Sequence, residues 1–234
     1  MFTGGKVDEG VPSGAVDGDI DGILPRTSGG RAGVMNRVHD ETSAALLVAA
    51  HRLLAEDGPD ALTVRRIATE AGMSTMNVYS RFGGKDGVID ELYSHGYQLL
   101  FAALDGVEST EDTVADLIEV ALAYRRFALE HPKYYEIMFG RFNPSEESIQ
   151  QALAGLSRFV GRVARSVDDG ALHLPDDLDP AGTTAWLWAT CHGLISLELG
   201  KIAVETIDWA GLYKAAIRTA LTSLQPAVIA SRAN

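Results

Sequence analysis

Apolar residues recur at helical spacing along almost the whole chain and never alternate as in a half-buried strand, so the pattern predicts an all-α protein of about nine helices. The first runs from about Asp40 to Glu56, where Leu46, Leu47, Ala50, Leu53 and Leu54 form one stripe before Asp57-Gly58-Pro59 ends it. A short second helix follows, marked by Leu62, Ile67, Ala68 and Ala71, with Thr63 placed to cap its first turn. Gly72 breaks that run and can take the positive φ of a sharp turn. Ser74 then caps a third helix, Thr75 to Phe82, with Val78 and Phe82 turned back towards the second. A fourth opens at Gly83-Gly84-Lys85-Asp86 and carries Val88, Ile89, Leu92, Tyr93, Leu99 and Leu100. Beyond it, His131-Pro132 stops a fifth helix, and residues 133–139 are a short aromatic turn or helix. Asn143-Pro144-Ser145 starts a seventh, and an acidic loop spans 168–179. Asp179-Pro180 and Asp208 open the eighth and ninth.

Two short helices joined by a glycine turn form a helix-turn-helix, which lays its second helix in the major groove of DNA. On that second helix Thr75, Met76, Asn77, Tyr79, Ser80 and Arg81 face outward. Asn77 suits adenine, Arg81 suits guanine or a phosphate, and the Thr75 methyl suits thymine. Tyr79 and Lys85 suit phosphates, which fix position without carrying sequence. Between residues 63 and 85 stand Arg65, Arg66, Arg81 and Lys85 against the single acid Glu70, whereas the whole chain carries a net charge of −12. Such a balance excludes a general coating of nucleic acid, which needs a basic surface, and leaves local binding.

The run Thr63, Arg65, Ile67, Ala68, followed by Gly72, Ser74, Tyr79, Phe82 and Lys85, resembles the amino-terminal domain of tetracycline-repressor (TetR) family regulators over roughly residues 40–100. The resemblance implies that Thr63, Tyr79 and Lys85 hold phosphates while the start of the second helix, at Ser74, reads bases. Met76 departs from the family, which often has glycine there, and leaves the base preference open. A second run, His131-Pro132 with Tyr134, Tyr135, Met138, Phe139 and Gly140 and then Trp188 with His192-Gly193, is similar to the carboxy-terminal domain called WHG. It implies a helical effector domain that also dimerises. The expected organisation is a disordered arm over 1–39, the DNA-binding domain over 40–100, the effector and dimerisation domain over 101–228, and a tail over 229–234. In the arm, Arg26, Arg31 and Arg37 either reach the minor groove or belong to a solvated tail.

The eighth helix is apolar or small on two sides. Trp186, Thr190, Gly193 and Leu197 line one, and Trp188, Cys191, Ile195 and Leu199 the other. One side serves a core; the other is expected to meet a second copy, giving a two-fold dimer on a palindromic double-stranded operator. Phe127, Tyr134, Tyr135, Met138, Phe139, Trp188 and His192 are candidates to enclose a small, mostly apolar effector, against the alternative that they are simply core.

No G-x-S-x-G, H-E-x-x-H or G-x-G-x-x-G element occurs, and adjacent Cys191 and His192 diverge on a helix, so no catalytic residues, metal or cofactor are expected. A lone cysteine fits a reducing cytoplasm, and neither a membrane span nor a leader is indicated. The chain is expected to be a cytoplasmic, sequence-specific, ligand-released dimeric repressor. The competing class is a helical binder or enzyme that does not use its helix-turn-helix on DNA.

Overall fold

A computed structural model describes residues 40–203 and 205–226, so the expected amino-terminal arm, with Arg26, Arg31 and Arg37, and the carboxy-terminal tail lie outside the described residues. Among the described residues there are nine α-helices and no strand. They are α1 (Glu41–Asp57), α2 (Val64–Glu70), α3 (Thr75–Phe82), α4 (Lys85–Asp105), α5 (Thr113–Glu130), α6 (Pro132–Phe139), α7 (Glu146–Asp168), α8 (Pro180–Leu199) and α9 (Trp209–Ser223), with a single 3₁₀ turn at Pro59–Ala61.

Short polar side chains start most of them. Asp40 accepts from the Ser43 amide, Thr63 from Arg66, Asp112 from Ala115, Ser145 from Ser148, Asp179 from Gly182 and Asp208 from Gly211. Each satisfies one of the orphan amides of a first turn, worth about 1 kcal/mol. Ser74 departs from expectation. It stands at the N-cap of α3 with extended backbone, but its hydroxyl makes no capping bond; the first turn is closed by the backbone, the Asn77 amide donating to the Ser74 carbonyl at 3.1 Å. Gly72, at φ +66°, makes the turn between α2 and α3 where a side chain would be strained.

α1, α2 and α3 pack on one another, and α4 leaves them to pack against α5, α6 and α7. With 21 residues, α4 is about 30 Å long and crosses residue 100 unbroken. The core is correspondingly continuous, from Leu46, Ile67 and Val78 through Leu92 and Leu100 to Phe127, Ile195 and Ile217. α7 approaches α4 so closely that a Cβ at Gly155 would lie 2.0 Å from the Phe101 ring, which explains a glycine in mid-helix. α8 buries Thr183, Cys191 and Ile195 but leaves Trp186 38 % and Leu197 46 % exposed, so one of its two apolar sides is bare in the protomer. No described helix is long and apolar enough to cross a membrane.

Candidate nucleic-acid interface and central cavity

α3 presents its outer face as the periodicity predicts. Val78 and Phe82 are buried, while Met76 is 69 % and Tyr79 55 % exposed, beside exposed Thr75 and Ser80 and half-buried Asn77. Thr63 Oγ1 accepts from the Arg66 amide at 3.2 Å, which leaves its hydroxyl proton free to donate outward. Gly83 ends α3 in the left-handed conformation, and Lys85 begins α4 directly after. Lys85 is thus set beside the positive end of a helix dipole, an arrangement that favours an anion.

The charge of this surface is not what residues 63–85 suggest alone. Arg66 pairs with Asp57, and Arg52 with Glu70 at 2.8 Å. Arg81, expected to read guanine or a phosphate, instead donates from Nε to Asp40 Oδ1 at 3.2 Å and from Nη2 to Asp40 Oδ2 at 2.6 Å. Ser80 is drawn into the same group, donating to the Asn77 carbonyl and accepting from Arg81. The Arg81 guanidinium and the Ser43 amide hold the Asp40 carboxyl well below the usual carboxylate range. Exposed Arg65 and the partly covered Lys85 remain as the positive groups of the outer face.

In the second half of the molecule a cavity of about 90 Å³ opens between α4, α5, α7, α8 and α9. Its walls include Leu100 and Leu104, Ala121 and Tyr124, Phe159, Leu187 and Trp188, and Ile217. The polar atoms near it are committed. Thr184 donates to the Pro180 carbonyl at 2.7 Å, Trp188 Nε1 donates to the Tyr124 hydroxyl at 3.2 Å, and burial pushes the Cys191 thiol up to about 11. The cavity therefore offers apolar surface and no charge.

Of the seven residues expected around an effector, only Trp188 lines this cavity. Tyr135, Phe139 and His192 line a separate groove of about 350 Å³ between α6 and α8, with Lys133 and Ser196 at its edges. Phe127 and Met138 are core side chains, 2 % and 6 % exposed. Tyr134 lies on the far side of α6, among His51, His95 and His131. The reason is geometric: α6 packs against α1, α4 and α5, so its aromatic residues part into two neighbourhoods, Tyr134 among the histidines and Tyr135 with Phe139 in the groove. The two groups still communicate, because the Tyr124 hydroxyl donates to Tyr135 at 3.3 Å and Tyr135 meets His192 Nδ1 at 2.6 Å. Of the residues expected at a dimer contact, Trp186, Gly193 and Leu197 are exposed and Thr190 half-buried.

Comparison with known proteins decides the family. The profile for bacterial regulatory proteins of the tetR family matches residues 46–92, and that for the tetracyclin repressor-like C-terminal domain matches residues 117–220, together more than half of the chain. The chain belongs to the tetR family of transcriptional regulators. An HTH-type transcriptional regulator of Mycobacterium bovis is 25 % identical over 233 residues, covering 86 % of this chain and 97 % of its own. A protein of unknown function from Rhodococcus sp. RHA1 superposes with a TM-score of 0.69 at 25 % identity, over 82 % of this chain and all of that one. The tetR family regulator PfmR of Thermus thermophilus shares the fold, with a TM-score of 0.57 at 19 % identity over 76 % of this chain and 97 % of its own. The protein is accordingly a DNA-binding transcriptional regulator and not an enzyme. Members of the tetR family bind DNA operators and small-molecule effectors and act as dimers.

Proposed function

We propose that this tetR-family protein is a cytoplasmic dimeric repressor that leaves a palindromic operator when an apolar effector enters its central cavity. Residues 40–100 would form the DNA-binding part and 101–228 the effector and dimerisation part. In this reading Thr75, Met76 and Asn77 read bases, Thr63, Arg65, Tyr79 and Lys85 hold phosphates, and the bare side of α8 with Trp186, Thr190, Gly193 and Leu197 meets its copy. Trp188 serves the effector, and the leucines of α4 and α7 replace most of the aromatic set suggested by sequence.

The observation that carries the switch is the size of the cavity. At about 90 Å³ it is smaller than the several hundred cubic ångströms that enclose a typical ligand. An effector of ordinary size has to push α7 and α8 away from α4 and α5, and so prefers an expanded arrangement over this one. Such differential affinity is what a ligand needs to shift an equilibrium. Because α4 carries both cavity wall and the connection to α3, expansion moves the two recognition helices of a dimer relative to successive major grooves.

The test begins with DNA. The full chain is incubated with the region upstream of its own coding sequence, and protection of an inverted repeat is sought, with affinity falling steeply as salt rises. Apolar compounds are then titrated into the complex. Loss of protection on adding one of them supports release, and a folded protein indifferent to every duplex at low salt overturns the reading.

A further inference from the structure

α3 is only eight residues long and buries Val78 and Phe82, four positions apart on one stripe. Two knobs on a single stripe fix where a short helix lies along its neighbours but resist rotation about its own axis poorly. Rotation matters because it decides which of Thr75, Met76 and Tyr79 faces a groove. Arg81 sits one position from that stripe, in the last turn, and grips Asp40 with two donors, Nε on Oδ1 at 3.2 Å and Nη2 on Oδ2 at 2.6 Å. The acceptor is itself fixed: Asp40 Oδ1 also takes the Ser43 amide at 2.8 Å and the Ser43 hydroxyl at 3.0 Å, capping α1. A planar fork on a carboxylate held at the head of another helix is directional in a way that a single ammonium contact is not.

We infer that the Asp40–Arg81 pair is a positioning clamp that sets the rotation of α3 against α1, and that Arg81 serves operator binding through this pair rather than by touching DNA. The inference rests on the proposed DNA-reading role of α3. It adds Asp40, a residue outside the helix-turn-helix, to the determinants of specificity. It also takes Arg81 off the list of base readers.

The two roles predict opposite responses, measured on the full chain with a protected operator duplex and a random duplex. Asp40→Ser keeps a capping oxygen for α1 but removes the carboxylate, so the fold is retained. Removing a negative charge beside phosphates strengthens binding unless Asp40 positions something. As a clamp, Asp40→Ser and Arg81→Ala each weaken operator binding by about tenfold, in the range for coupled side chains, and the double variant is no worse than either. Arg81→Lys, which keeps the charge and loses the fork, weakens it as well. Affinity for random duplex does not fall with it in Asp40→Ser, where the lost negative charge leaves it equal or tighter, and for Arg81→Ala the slope of log affinity against log salt stays that of the wild type, because no phosphate contact is lost.

Were Arg81 a DNA contact, Arg81→Ala would lower that slope by about one, Arg81→Lys would largely restore it, and Asp40→Ser would leave operator binding equal or tighter. That pattern overturns the clamp while leaving the regulator reading intact. Failure of the wild type to prefer any duplex refutes the regulator reading itself. Unfolding midpoints taken alongside separate positioning from stability: the clamp changes the ratio of operator to random affinity in protein that is still folded.

Discussion

His51 on α1 and His95 on α4 meet edge to face, with ring centroids 4.7 Å apart and His51 Nδ1 bonded to the Tyr134 hydroxyl of α6. Three helices thus share one half-buried polar cluster at the place where the helix-turn-helix joins the rest of the chain, and His131 borders it at 6.4 Å from Tyr134. Burial and then the neighbouring His95 depress His51 to about 4, and burial followed by His131 lowers His95. A base whose folded-state pKa is depressed stays neutral in the fold while the unfolded chain takes up protons. Stability is therefore complete above the unfolded value of about 6.5 and falls as pH drops from there through about 4, by up to about 3 kcal/mol for His51 alone. Urea midpoints at pH 7.5 and pH 5 should show this loss. His51→Gln, which keeps an acceptor for Tyr134 but does not titrate, should show less of it; an equal loss in the variant would place the acid sensitivity elsewhere.

Ala121 lines the central cavity from α5. Ala121→Leu places three further carbon atoms there, into space the protomer leaves empty. The expected outcome is a protein that binds its operator normally, is within about 1.5 kcal/mol of wild-type stability in either direction, and no longer takes up a neutral apolar dye or answers an apolar effector. Dye fluorescence and operator release, measured together, decide it. A variant that still responds would direct attention to the groove at Tyr135 and His192.

Trp188 joins those two places, because its indole donates to Tyr124, which donates to Tyr135, which meets His192. Tyr135→Phe removes the middle hydroxyl of this chain and should cost about 1 kcal/mol. It should also change the emission of Trp188, since the Tyr124 hydroxyl loses an acceptor and reorients. Comparing Tyr135→Phe with the same change in a Trp188→Phe background isolates that signal from Trp186 and Trp209. An identical spectral change in both backgrounds would show that Trp188 is not coupled to the relay.

The helix-turn-helix could be read in the sequence because its elements are local: Thr63 caps, Gly72 turns, Val78 and Phe82 point inward, and each is specified by residues within a turn or two. What escaped depends on distance along the chain. Asp40 and Arg81 are 41 residues apart, His51 and Tyr134 83, and Arg125 and Glu198, which form a largely covered ion pair from α5 to α8, 73. No periodicity reports such pairs. The cavity escaped for a different reason. Leu104, Leu117 and Leu156 occupy ordinary core positions of their helices, and whether an apolar stripe closes on another or leaves a gap is settled by how five helices stack. Aromatic residues drew attention by their chemistry, yet α6 sends Tyr134 one way and Tyr135 with Phe139 another.

Gly193 offers the sharpest test of the bare side of α8. A Cβ there meets nothing within 4 Å in the protomer, and the residue is exposed on the same side as Trp186 and Leu197. Within one chain, replacing this mid-helix glycine should be favourable by about 1 kcal/mol, since glycine is a poor helix former. Against a second copy the same change is costly, because a small residue there lets two helices approach and a long charged one holds them apart. Gly193→Arg should therefore yield a folded protein with undiminished helicity that sedimentation finds as a monomer, and that has lost paired-site operator binding. Its unfolding midpoint should no longer rise with protein concentration, as that of an associating wild type does. A variant that remains dimeric and still protects both half-sites would mean that the copies meet through some other surface.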